Sequence, residues 1–344
     1  MDPRLYTFRS SATVAVALLL LPAFGAWQNA AAQTARAVAA TQKTVPASRT
    51  PDGKPDLSGY WTNATLTPLE RPAELGNKEF FTEAEAAAYE KDRLAKENSQ
   101  AKTDIHYDNV LWQSENYTKG VSNRRTSLVF DPPDGKIPPL TEHGKVLLKA
   151  EKEAERRREA AASAEDRSLA ERCIAWGNEG PPMLGSTYNA NLRILQNRES
   201  VTIEHEIIHG ARFIPLDGRP HLTPSIRQLG GDSRGHWEGD TLVVDSANFT
   251  GRTNFRSPPA TARQDIFSDE NLHVTERFTR QDADTIGYRF TVEDPTVWTK
   301  PWSGEMMLRR FQGPLLEYAC HEGNYGLANI LSAARVAEKA AAKK

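Results

Sequence analysis

The chain has 344 residues, 26% of them charged and 39% hydrophobic, with a formal net charge of −2. That is globular composition, enough for one large domain or a domain with an elaborated insertion. The near-neutral balance gives no reason to expect nucleic acid as a partner, and no stretch after the N-terminus approaches the about 20 apolar residues of a membrane helix.

Residues 1–32 read as an export signal rather than as fold. Arg4 and Arg9 precede the apolar run "ATVAVALLLLPAF", and small residues at Ala30 and Ala32 suit signal-peptidase cleavage. The run is short for a bilayer, so the reading is cleavage near Ala32 and a periplasmic or secreted protein with no membrane span once mature. An uncleaved anchor is the alternative. Export makes Cys173 and Cys320, the two cysteines, an expected disulfide. The rivals are two separate thiols, or a soft metal site at Cys320-His321.

Residues 33–50 are small and polar, a flexible leader. A single domain is expected over 51–335, with a basic tail at 336–344. "PDGKPDLSGYWTN" is a turn and a first strand. Thr82 with Glu85 three residues on forms a capping-box pattern that opens a helix to about Asn98. "TSLVFDPPDGKIPPL" reads as a short strand and a proline-stiffened turn. A long charged helix then runs from Thr141 to Cys173, its interleaved acids and bases predicting a solvated face. These helices form an insertion at about 80–172.

From about residue 185 the texture becomes alternating and β-branched: "NLRILQ", "VTIEHEIIHGARFI", "DTLVVDSANF", "LHVTERFTR", "TIGYRFTVED", "SGEMMLRRF" and "LLEYACH", separated by turns such as "EGD", "QDAD" and "QGP". The final "YGLANILSAARVAEKAAAKK" is an amphipathic helix. The expected fold is mainly β: an antiparallel up-and-down barrel or sandwich, with the helical insertion and a C-terminal helix. Gly59 and Trp61 form a G-x-W at the head of the first strand. This resembles the start of the lipocalin-like superfamily, where the tryptophan plugs the closed end of a barrel, and it favours the barrel.

The string HEIIH, residues 205–209, matches the zinc-protease pattern H-E-x-x-H. That chemistry needs a helix, which puts both histidines on one face and the glutamate over the bound water. The surrounding Val201, Thr202, Ile203, Ile207 and Ile208, with Gly210 and Pro215 after them, predict a strand instead. On a strand His205 and His209 would stand about 13 Å apart, too far to share one zinc. They would share an apolar face with Val201, Ile203 and Phe213, with Glu204, Glu206 and Arg212 opposite. Core histidines are one reading of that face. The other is a general base, a metal or haem ligand, or a hydrogen-bonding group for a small molecule.

Three polar loops could build a site at a barrel mouth. "PLDGRPH" carries Asp217, Arg219 and His221; "GGDSRGHWEGD" carries Asp232, Arg234 and His236; "YACHEGNYG" carries His321, Glu322, Asn324 and Tyr325. The competing account is that acids and arginines within each turn simply pair. No G-x-S-x-G elbow, marked carboxylate pair or EF-hand spacing is present.

The strings "RTPDGKPDLSGYW", "RTSLVFDPPDGKIPPLT", "ARFIPLDGRPHL", "GDSRGHWEGDTLVVDSANF", "FTVEDPTVWTKPW" and "YACHEGNYG" together resemble a large group of exported, mostly uncharacterised bacterial proteins, frequent in soil bacteria. The resemblance spans roughly 50–335 and is weakest in the charged helix. It brings no reaction and no assigned catalytic residue. Its pattern E-x-x-H-x-A-R-x-x-P-L-D-G-R-P-H matches Glu206, His209, Arg212, Asp217, Arg219 and His221 without requiring His205, which further weakens a zinc role.

The resulting expectation is an exported small-molecule-binding barrel with no cofactor required by the sequence. His209, His221 and Asp217 are its candidate acid/base groups. Glu206, Arg212, Arg219, Asp232, Arg234, His236, His321, Glu322, Asn324 and Tyr325 are candidate ligand contacts. Two alternatives stay open: a metal-dependent hydrolase built on His205, Glu206 and His209, and a structural or interaction module of the cell envelope.

Overall fold

The period-two runs become the strands of a meander. The computed structural model describes residues 48–98, 122–177, 179–185, 189–251 and 270–343; the expected signal segment and nearly all of the leader lie outside them. The strands are β1 (Gly59–Thr62), β2 (Val129–Asp131), β3 (Asn191–Gln196), β4 (Ser200–His205), β5 (Ala211–Pro215), β6 (Asp232–Glu238), β7 (Thr241–Ala247), β8 (His273–Arg280), β9 (Thr285–Glu293) and β10 (Trp302–Arg310). Helices α1 (Glu83–Asn98) and α2 (Glu142–Ala160) precede β3, and α3 (Tyr325–Ala341) follows β10.

Nine strands pair in the order β5-β4-β3-β1-β10-β9-β8-β7-β6, with β2 added to β10. Every pair is antiparallel, and the first strand meets the last at Trp61↔Arg310. The chain therefore forms an up-and-down barrel that is nearly closed. The one interruption is between β5 and β6, where no ladder joins the described residues.

Alternation sorts each strand into an inner and an outer face. Val274, Glu276 and Phe278 of β8, Ile286, Tyr288, Phe290 and Val292 of β9, and Trp302, Met306 and Leu308 of β10 are all buried. Their rings stack in sequence: Phe278 against Tyr288, Tyr288 against Phe290, and Phe290 edge-on to Trp302. Met183 and Leu184 are buried in the same core, and the Met183 N–H donates to Tyr288 Oη at 2.8 Å. The barrel interior is therefore filled with side chains, which moves any ligand site off the axis.

Trp61 closes one end. Gly59 has φ +128°, and a side chain there would collide with Arg310. Glycine thus admits Arg310 over the Trp61 ring at 4.3 Å, while Arg280 lies over the ring at 4.6 Å. The indole N–H donates to the Leu57 carbonyl at 2.9 Å. Elsewhere, Thr82 caps α1 as its sequence predicts, its N–H donating to Glu85 Oε2 and its Oγ1 accepting from the Glu85 N–H. Cys173 and Cys320 form a disulfide with Cα atoms 5.7 Å apart. No described helix is long and apolar enough to cross a membrane.

Four sequence expectations change. The helix expected to reach Cys173 stops at Ala160, and Ala161 adopts φ +47°. "LLEYACH" is not a strand: it cannot continue the meander as a hairpin on β10, which already has β9 on one edge and β1 and β2 on the other. "GGDSRGHWEGD" is not a loop but β6 and its hairpin to β7. Finally, "VTIEHEIIHGARFI" is two strands, β4 and β5, joined by a 3-10 turn at Ile207–His209 with Ile208 at φ +52°. The hairpin pairs Ile203 with Arg212, so the inward parity switches from odd to even and Arg212 shares the inner face with His205. HEIIH consequently lacks the helix that zinc-protease geometry requires.

Candidate functional site

The seam between β5 and β6 closes unevenly. Ile214 and Leu216 lie where a side chain on Gly235 would stand, so there the strands meet through side chains. Along the seam lies a cavity of about 460 Å³, within the usual range for small-molecule pockets. Ala211, Arg212 and Phe213 form one wall and Asp232, Ser233 and Arg234 the other; Gln228–Gly231 and the loop residues Ile174–Gly177 and Glu179–Pro181 complete it, with His205 reaching it from β4. The disulfide ties Cys173, just before that loop, to the segment leading into α3.

Gly210 makes room in the cavity rather than serving the backbone. Its φ is −63°, which any residue can adopt. A Cβ there would stand 2.9 Å from Glu179 Oε1. The absent side chain is what leaves the Glu179 carboxyl room beside the strand.

Burial sets the protonation of the pocket. The Glu179 carboxyl is pushed up to about 7 by burial, only partly offset by a backbone hydrogen bond from Trp176. His205, 5% exposed, is pushed down to about 3 by burial and then by the nearby Arg212 charge, so its imidazole is neutral. Arg212 makes a two-pronged ion pair with Glu276, Nη1 to Oε2 at 2.6 Å and Nη2 to Oε1 at 3.0 Å. Glu276 also accepts from Tyr288 Oη at 2.8 Å. Four buried polar atoms on the pocket-lining side chains have no partner: Glu179 Oε1, His205 Nε2, Arg212 Nε and Arg234 Nε. An unsatisfied buried group costs about 1–3 kcal/mol, so such a concentration calls for an explanation.

The sequence candidates divide. Arg212, Asp232 and Arg234 line the cavity, as does His205 from the metal alternative. Asp217 and Arg219 pair with each other in an exposed turn. His236 pairs with Glu238 on the outer surface. Glu206 is buried outside the cavity, accepting from Asn189, Asn191 and the Leu316 N–H. Asn324 caps α3 through its side chain, and His321, Glu322 and Tyr325 are exposed around it. The side chain of His209 lies outside the described residues. Glu179 and Trp176 join the site from "AWGNEGPPM", a string with no motif or periodicity to mark it.

His221 belongs to a second cluster on the outer face. Its Nδ1 is 3.1 Å from Asp232 Oδ2 and its Nε2 is 2.7 Å from Asp245 Oδ1. His273 sets Nε2 2.8 Å from Asp245 and Nδ1 3.5 Å from Glu293. The hydrogen bond to Asp245 raises the His273 pKa against the effect of burial. Burial likewise opposes the shift of Asp245, but hydrogen bonds from His273 and His221 outweigh it and hold the carboxyl below its ordinary value. Asp232 links this chain of imidazoles and carboxylates to the cavity wall. Among the described residues, no group of three or more His, Cys, Asp or Glu is placed to share a metal ion.

No family model and no curated protein matches the chain. Among solved structures, a point mutant of the fluorescent protein UnaG is similar at 15% identity, over 36% of this chain and 72% of that one, with a TM-score of 0.22. A likeness of that size carries no argument about the site.

Proposed function

We propose that the protein is an exported barrel that binds a small molecule in the seam pocket and can exchange a proton with it. The observation that carries this reading is the pair Glu179 and His205: one cavity holds a carboxyl near 7 and a neutral, unpartnered imidazole. Displaced protonation in a cleft is what acid/base work near neutrality uses. The acid/base role that the sequence suggested for His209, His221 and Asp217 is therefore assigned to Glu179, with the neutral His205 beside it as a hydrogen-bonding group. Export is supported by the disulfide, a bond characteristic of oxidising compartments, and by the signal-like pattern before Gln33.

Native mass spectrometry of the chain isolated from its own periplasm tests both parts. The mature protein should begin near Gln33 and carry a bound small molecule. Gly210→Val fills the space beside Glu179 without backbone strain and should lose that molecule while remaining folded. An intact N-terminus rules out cleaved export. A Gly210→Val protein that keeps the ligand places the binding site elsewhere.

A further inference from the structure

We propose that the seam pocket selects organic anions, specifically a carboxylate carried on an apolar body. The inference rests on the binding function proposed above and specifies its ligand class. It follows from which hydrogen-bonding capacity is spent and which is left. Glu276 is saturated by both Nη atoms of Arg212 and by Tyr288 Oη. Asp232 accepts from the Leu222 N–H, faces His221 Nδ1 and pairs with Arg234. The acceptors of both ion pairs are used, yet Arg212 Nε and Arg234 Nε remain donors without acceptors.

The charges agree with that count. Two arginines are balanced by two carboxylates, and His205 is neutral. Glu179 alone has no cationic partner, and protonation turns it from an acceptor into a further donor. Burial is the main cause of the depressed histidine, and the Arg212 charge adds to it despite the Glu276 pair. Of the four unpartnered atoms, the two guanidinium Nε are donors at every pH, and His205 Nε2 donates or accepts according to its tautomer. Glu179 accepts without donating only while ionised. With Glu179 protonated, a carboxylate meets more spare donors than an ammonium meets acceptors. At the mouth, Phe213 is 61% and Ile174 42% exposed, with Trp176 beside them on the wall. These side chains provide apolar cover for the rest of an amphipathic ligand.

Binding then requires Glu179 in its protonated form, because an ionised carboxylate would face the ligand's own. Affinity should be full below about pH 7 and fall by up to tenfold per pH unit above it. The test is calorimetric titration of the full chain with phenylbutyrate, phenylbutyramide and phenylbutylamine, at about pH 6 and about pH 9. The acid should bind and the amide and amine should not, with the acid losing about a hundredfold in affinity across that range. Glu179→Gln, which keeps the neutral shape, should bind the acid equally at both pH values. Equal or tighter binding of the amine or the amide overturns the anion assignment and leaves the pocket standing. A steep loss of affinity that persists in Glu179→Gln removes Glu179 from the inference. Failure of all three probes to bind removes the anion assignment, while the binding function itself falls only if the isolated chain carries no small molecule.

Discussion

The closed end and the seam of the barrel hold the same kinds of groups, a tryptophan and two arginines, and treat them differently. At the closed end Trp61 lies between Arg280 and Arg310. Arg280 donates to the carbonyls of Asp56, Asp282 and Ala283, and Arg310 to that of Ala283. No polar side-chain atom of these three residues is left buried and unpartnered. At the seam, Trp176, Arg212 and Arg234 line a cavity beside an unpaired carboxyl, and both arginines keep an unused donor. Where the chain's own carbonyls satisfy buried donors, the cluster serves the fold. Where four unpartnered polar atoms gather around one cavity, the cluster is placed to meet a ligand's polar group.

The largest expected effect comes from breaking the closed end. Trp61→Ala should cost about 3–5 kcal/mol in urea unfolding, since removing a fully buried indole leaves a cavity and takes the ring from between two guanidinium groups. Ligand binding at the seam should persist in the fraction that remains folded. A loss below about 1 kcal/mol would show that the tryptophan is not the keystone of that end.

The seam should respond in the opposite sense. The Glu179 carboxyl is near 7 in the fold against an ordinary value of 4.5. The unfolded chain therefore gives up this proton first, and the folded state loses stability as pH rises from about 4.5 to about 7. Glu179→Gln removes that penalty. It should stabilise the protein by roughly 2–3 kcal/mol at about pH 8 and by almost nothing at about pH 4. Denaturation curves at the two pH values check it, and an unchanged or lower midpoint at the higher pH would mean that Glu179 is structural. A residue whose replacement stabilises the fold is one retained for another reason.

A smaller effect sharpens the boundary between pocket and outer face. His273 has a raised pKa, so its contribution is complete below about 6.5 and disappears as pH rises through its folded value. Asp245 has a lowered pKa, so its contribution is complete above about 3.9 and is lost as pH falls through its folded value. The pair therefore stabilises most between those limits. Both groups are partly exposed, which limits the gain to about 1 kcal/mol or less. His273→Gln should flatten stability against pH in this window and leave binding of phenylbutyrate unchanged. A loss of binding would extend the site along the His221–Asp245–His273 chain.

What the sequence determined by itself was local or periodic. The Thr82 and Glu85 cap, the turns at Gly239–Asp240 and Gln281–Asp284, and the alternation of β8 to β10 are each set by neighbours a few residues apart. The G-x-W was legible as a motif resembling the lipocalin-like start, although the side chain that demands glycine at position 59 is the remote Arg310. The disulfide was legible because the chain offers one pairing. The tertiary structure alone decided the site. The 3-10 turn at Ile207–His209 switched the inward parity, so His205 and Arg212, which an unbroken strand places on opposite faces, came to share one. Glu179 became a pocket acid because a loop distant in sequence packs it against Gly210. The protonation of Glu179 and His205 depends on how much water the surrounding chain removes. Burial by remote segments has no periodicity, so no pattern of letters around either residue encodes it.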